Sequence, residues 1–213
     1  MQEAPEPVAL LGVGAVFTLF VITLGPIKVL GPFSQLTREL DEPTLRLVAI
    51  RTFLLSVITV VLGGYVGLAL LDNWKIPIAE LELAGGLIFF LVGMRLVLEQ
   101  YQPPAPPPPP LPPTPTAAAL RLACPTVVTP YGIAAVIVLL ANSSGIERTL
   151  TLLGILVAVM VLNLLFMLYA RKLAGSLTLM TLRIFGAVLG VLQVALALEM
   201  ILRSLREIGI LHG

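Results

Sequence analysis

Few side chains in this sequence can bind or move a solute, and most of them stand beside proline or glycine in two short stretches. The first reads Thr23-Leu24-Gly25-Pro26-Ile27-Lys28 and continues through Gly31-Pro32-Phe33. The second reads Cys124-Pro125-Thr126-Val127-Val128-Thr129-Pro130-Tyr131-Gly132. Both are embedded in long apolar runs. A proline there removes a backbone donor and strips a carbonyl of its helical partner. Inside a bilayer no water replaces those bonds, so the freed groups must face protein, a cavity or a ligand. A half-helix N-terminus then offers free N–H groups and a positive dipole end to a carboxylate. Unwound carbonyls suit a cation or an ammonium group.

Thr23, Thr126 and Thr129 add hydroxyls at these breaks, although a single helical threonine more often bonds its own preceding turn. Lys28 is the sharpest feature. A charge in a membrane segment is expensive and faces a cavity, a partner or the interface. Lys28 reads equally as a counter-charge for an anionic substrate group and as a side chain snorkelling to the headgroups. Arg51 and Arg95 lie near the ends of their runs, where snorkelling is the simpler reading. Asn163 and Gln193 lie nearer mid-span, where amides contact a substrate or, more commonly, bond between helices. Glu199, near the outer end of the last run, is a proton carrier or simply an interfacial group. The candidate substrate-binding set is Thr23, Gly25, Pro26, Lys28, Gly31, Pro32, Thr126, Thr129, Pro130, Gly132 and Asn163.

Other chemistries are set aside. No two carboxylates share a deep position, so an acidic cage for a divalent cation is missing. No His/Cys cluster suits zinc, no phosphate-binding glycine loop appears, and a serine or cysteine nucleophile would lack a histidine base. Neither an enzyme nor a cofactor is implied. The single cysteine, Cys124, rules out a dithiol pair, and the single histidine, His212, sits beside the C-terminus.

The elements that position these residues are membrane helices. Of 213 residues, 58% are hydrophobic and 12% charged, with a mean hydropathy of +1.03, whereas a soluble domain is about a quarter charged. The net charge of +1 has no basic patch behind it, which excludes a nucleic-acid partner. Residues 1–7 carry Glu3 and Glu6 and no basic residue, so the first run is not read as a cleaved secretory signal. Six spans are predicted: 8–30 interrupted at Gly25-Pro26, then 45–71, 78–98, 117–141, 149–170 and 177–202. Each reaches the roughly 20 residues a helix needs to cross. Trp74 is a candidate headgroup-level anchor. Residues 102–116, mostly proline, read as a polyproline II spacer between residues 1–101 and 117–213. The basic residues favour one side of the membrane, which places both termini outside.

The two halves echo each other. Leu81-Glu82-Leu83-Ala84-Gly85-Gly86-Leu87-Ile88 overlays Leu182-Arg183-Ile184-Phe185-Gly186-Ala187-Val188-Leu189, and Pro26 and Pro125 fall at nearly the same separation. A unit of three helices, duplicated, must run inverted. The expected fold is therefore all-α, with six transmembrane helices in two inverted three-helix repeats and with the first and fourth helices broken. Such broken, inverted repeats recur in transporters. Depth arithmetic puts both breaks in the cytoplasmic half, with the fourth span opening as a short re-entrant piece.

The order of these features resembles the MarC family of six-span bacterial membrane proteins. The matching parts are Leu24-Gly25-Pro26-Ile27 leading to Phe33-Ser34-Gln35-Leu36-Thr37, then Ala84-Gly85-Gly86-Leu87-Ile88-Phe89-Phe90-Leu91. After the spacer come Pro125-Thr126-Val127-Val128-Thr129-Pro130-Tyr131-Gly132-Ile133 and Arg183-Ile184-Phe185-Gly186. The family is similar to LysE-like exporters and has members that move small neutral amino acids such as glycine and alanine. The resemblance implies transport of a small amino acid across the bacterial inner membrane, with a proton or sodium gradient as the candidate driving force. The chain departs from the family pattern at Gly25, where the family has asparagine, and at Lys28 and Thr129, where it has glycine. Glycine-rich helix faces are compatible with a monomer or a homo-oligomer. Two other readings stand beside transport: a membrane scaffold that recruits a partner through the proline tract, and a redox carrier, which a single cysteine argues against.

Overall fold

The computed structural model describes residues 12–98, 114–143, 145–173 and 176–211. The proline tract up to residue 113, Glu3, Glu6 and His212 lie outside them, as does the side chain of Arg183. Every regular element described is helical. Helix α1 spans Val13–Leu24 and α2 spans Pro26–Leu36, split by Gly25 in extended backbone. Helix α3 runs Glu42–Trp74 and α4 runs Ile78–Leu98. Helix α5, Pro115–Arg121, leads into a widened, π-type segment, Leu122–Val127, and α6 follows over Pro130–Ala141. Helix α7 covers Ile146–Leu168, α8 Ala170–Leu173 and α9 Ser176–Glu207.

Local chemistry sets these ends. Helix α5 opens at Pro115, inside the stretch read as spacer. Proline fits a first helical position, where its missing donor is not needed, and the Thr114 hydroxyl accepts from the Ala117 amide. Helix α6 begins the same way, with Pro130 first and the Thr129 hydroxyl accepting from the Gly132 amide at 3.2 Å. Helix α3 stops where Lys75 turns left-handed at φ 52°, with its N–H directed at the Asp72 and Leu71 carbonyls. Helix α7 starts after Gly145, whose φ of 108° only glycine adopts freely.

Among the described residues, four stretches are long and apolar enough to cross a bilayer: Val13–Leu36, Glu42–Trp74, Ile146–Leu168 and Ile184–Glu207. The pair Pro115–Val127 and Pro130–Ala141, bent by 63°, makes a fifth if it is a single span. The third predicted span, α4, has the expected bounds but is not in this set. The outward faces are apolar. On α3, Ile50, Leu54, Ile58 and Leu62 are all about half exposed at four-residue spacing, while Val48, Thr52, Ser56 and Val60 are buried. In water that stripe would be costly, whereas lipid tails suit it.

The helices pack in a defined set of pairs. Helix α7 lies against α1 and α2, and α3 lies against α5 and α6. Helix α4 packs on α6, α9 packs on α1 and α2, and α4 and α9 form the most extensive pair. The last pair meets through small residues: a Cβ on Gly93 would stand 2.9 Å from Val194 Cγ2 and 3.1 Å from the Gly190 carbonyl oxygen. The apolar core collects around the breaks, where Leu24, Leu30, Phe33, Leu122, Leu156 and Met160 are fully buried.

Candidate solute site at the paired helix breaks

A helix that stops inside an apolar core leaves its last carbonyls without intrahelical donors. At the end of α1 those carbonyls include Thr23 and Leu24. The other half of the chain supplies their partners. The Thr129 hydroxyl donates to the Thr23 carbonyl at 3.2 Å, and Asn163 Nδ2 of α7 donates to the Leu24 carbonyl at 2.5 Å. Thr129 does this while its oxygen also caps α6, so one hydroxyl serves both broken helices. The Thr23 hydroxyl itself bonds back to Leu19 at 2.7 Å; its carbonyl, not its side chain, joins the junction.

Close approach makes these bonds reachable. A Cβ on Gly132 would lie 2.3 Å from Leu24 Cδ2, so with the Leu24 side chain as it stands glycine lets α6 sit on the end of α1. A Cβ on Gly25 would stand 2.0 Å from the Val21 carbonyl oxygen. The asparagine of the family pattern would meet that same oxygen, so the break is tighter here than an ordinary side chain allows.

Lys28, third residue of α2, reaches across the junction to Tyr131, second residue of α6. Its ammonium donates to the Tyr131 hydroxyl and lies 4.3 Å from the ring centroid. Lys28 is half-buried, and its side chain is directed at the opposite break. Lys28 sits in the first turn of α2, the positive end of that helix's dipole. The α1 side presents carbonyls that are already bonded. Asn163 is 1% exposed and its Oδ1 has no hydrogen-bond partner, which leaves a buried acceptor at the junction.

The structure thus brings together Thr23, Gly25, Pro26, Lys28, Thr129, Gly132 and Asn163. Gly31 and Pro32 lie further along α2, half-buried. Thr126 lies half-buried in the π-type segment, and Pro130 is exposed at the head of α6. Within that segment Cys124 is extended, at φ −126° and ψ 123°, and the Cys124-Pro125 peptide is cis. Tyr131 joins the junction through Lys28 although the candidate set lacked it. Its signal was its place in the first turn after Pro130, where a long side chain can reach back over the break.

Other polar residues have structural partners. Gln193 Nε2 donates to the Phe89 carbonyl at 3.0 Å, an interhelical bond between α9 and α4. Arg51 reaches Thr116 at the start of α5 at 2.6 Å. Glu199 is exposed and lines an open groove of about 280 Å³ between α1 and α9, with Gly14, Thr18 and Leu192.

Exposed apolar helix faces around a buried polar junction define a multi-pass integral membrane protein of helical type. The model of the MarC family, described as MarC family integral membrane protein, matches residues 12–209. This chain belongs to that family. No match was found among curated proteins or among solved structures.

Proposed function

We propose that the protein is a secondary transporter of a small carboxylate-bearing metabolite, the class that includes the small neutral amino acids. It works by alternating access around the two helix breaks. One observation carries this reading: the backbone ends left by the first break are completed by side chains from the other half of the chain, and a side chain of α2 reaches back to the head of α6. Thr129 bonds Thr23, Asn163 bonds Leu24, and Lys28 meets Tyr131. A scaffold has no use for buried backbone ends held by side-chain donors at a junction between two halves. A transporter does, because a solute can displace those donors and bond the same groups.

The packing pattern supports six spans in two inverted units. Let α1/α2, α3 and α4 form one unit, and α5/α6, α7 and α9 the other. Exchanging the units turns the α3–α5/α6 contact into the α7–α1/α2 contact, and the α4–α6 contact into the α9–α1/α2 contact. The α4–α9 and α3–α7 pairs map onto themselves. This is the relation expected of two copies related by an in-plane pseudo-two-fold axis. On this reading the protein lies in the bacterial inner membrane, and the bias of basic residues favours an orientation with both termini outside.

The test is uptake of labelled glycine, alanine and serine into proteoliposomes, with and without a proton or sodium gradient. Gradient-dependent uptake that Thr129→Val reduces at least tenfold supports the site. Folded protein that moves none of these, nor any other small carboxylate, removes the transporter reading.

A further inference from the structure

We propose that Glu82 carries the coupling proton of the transport cycle, through contacts that tie α4 to α6 and α9. The inference rests on the transporter reading and deepens it. A carboxylate within a membrane helix is costly and marks a functional group with a partner. Helix α4 holds two glutamates near its start. Glu80 is exposed, as suits a carboxylate at the membrane surface, whereas Glu82 is 7% exposed. The fold turns Glu82 inward, between two helices. Toward α9, the Ser204 hydroxyl donates to the Ala79 carbonyl at 2.6 Å, and a Cβ on Gly86 would stand 2.8 Å from Ile201 Cγ1. Toward α6, a Cβ on Gly85 would stand 2.9 Å from Val138 Cγ2. Glu82 lies among these close approaches.

The charged groups that face it are Arg203 and Glu207, both of α9, and α6 adds the Asn142 side chain, which hydrogen-bonds the carboxylate. Arg203 Nε also meets Glu207 Oε1 at 3.2 Å, so Glu82 shares that guanidinium with a second carboxylate. Asn142 caps the C-terminus of α6, and Thr129 caps its N-terminus. A single helix of 12 residues, about 18 Å long, thus joins Glu82 to the helix breaks. In the proposed arrangement α4 belongs to one unit, and α6 and α9 to the other. Parting the units draws Asn142 and Arg203 away from Glu82. A carboxylate without such partners in apolar surroundings takes a proton from water and becomes neutral. Closure returns the partners, and the proton leaves to the opposite face. Only the O–H bond forms and breaks.

The full chain is reconstituted in proteoliposomes with labelled glycine, alanine or serine. Counterflow reads exchange, and a pH gradient of either sense reads coupling. Wild type is expected to exchange the solute and to accumulate it on the gradient. Glu82→Gln is expected to keep counterflow and to lose accumulation at least tenfold. Glu82→Asp should recover part of the accumulation, and Glu80→Gln should match wild type. Wild-type accumulation by Glu82→Gln overturns the inference, as does a wild type driven by a sodium gradient alone; the transporter then stands. Folded Glu82→Gln that loses counterflow as well also overturns it, because that marks a packing role. Should Glu82→Gln not fold, wild type treated with dicyclohexylcarbodiimide decides, since this reagent adds to carboxyls that hold a proton in apolar surroundings. An adduct at Glu82 that abolishes accumulation supports the inference; no adduct there at any pH, or one without effect, overturns it. Folded wild type that exchanges no small carboxylate removes the transporter reading and this inference with it.

Discussion

Thr23 and Leu24 end a helix where water cannot reach, so their carbonyls depend on two side chains far away in the sequence. Asn163→Leu leaves the Leu24 carbonyl bare, and a buried unsatisfied acceptor costs about 1–3 kcal/mol. Thr129→Val removes the bond to Thr23 and the cap of α6 together, with a similar loss, about 1–2 kcal/mol for the cap alone. Thr129→Ser retains both. Thermal unfolding in detergent should rank wild type and Thr129→Ser above Thr129→Val and Asn163→Leu; equal midpoints for all four would contradict the capping role. Gly25→Ala drives a methyl to 2.0 Å from a backbone oxygen that cannot retreat, so it should destabilise by at least the usual overpacking range of about 1–3 kcal/mol. At this scale the sequence marked Thr129 and Asn163 through their residue types and places, but not what they bond. Pairing Asn163 with Leu24 requires knowing that α7 crosses the end of α1, and no local pattern carries that.

At the scale of elements, the end of α2 is held by Arg171, which follows α7. Its guanidinium donates to the Leu40 carbonyl and to the Thr37 carbonyl at 3.3 Å, and it pairs with Glu42 at 3.4 Å. Arg171 and Glu42 are both well exposed, and an exposed ion pair contributes about 0–1 kcal/mol. The carbonyl contacts should therefore matter more. Glu42→Gln is expected to leave the unfolding midpoint nearly unchanged and Arg171→Ala to lower it; the opposite order would refute this. The α4–α9 pair tolerates only small residues at its crossing, so Gly93→Leu should separate the pair and yield protein that aggregates on size-exclusion chromatography. Element bounds were legible where proline or glycine marks them. The split at Gly25-Pro26 and the bounds of α4 match the sequence reading. The π-type winding of Leu122–Val127 was not legible, because Pro125 announces a break without saying how the chain passes it. Helix α3 extends three residues past each predicted end, since Asp72 and Asn73 continue a helix that polarity alone would stop.

For the whole molecule, the proposed orientation sets Arg38, Arg46, Arg51, Arg95, Arg121, Arg171 and Lys172 at the cytoplasmic end of the bundle. A periplasm-active reporter fused at the C-terminus should therefore be active and a cytoplasm-dependent one dark; the converse would invert the orientation. The packing of α1 and α2 on α7, and of α5 and α6 on α3, was not readable in the sequence, because it depends on contacts between distant segments. The central claim is that the junction of the two breaks must part for a solute to pass. A Cβ on Gly132 would lie 2.9 Å from Leu24 Cγ, so cysteines at the two positions are close enough to test for a disulfide. The decisive measurement is uptake by a Leu24→Cys/Gly132→Cys protein in a Cys124→Ser background, oxidised and then reduced in the same proteoliposomes. The account predicts no uptake when the pair is linked and recovery on reduction. Undiminished uptake by fully linked protein would contradict it.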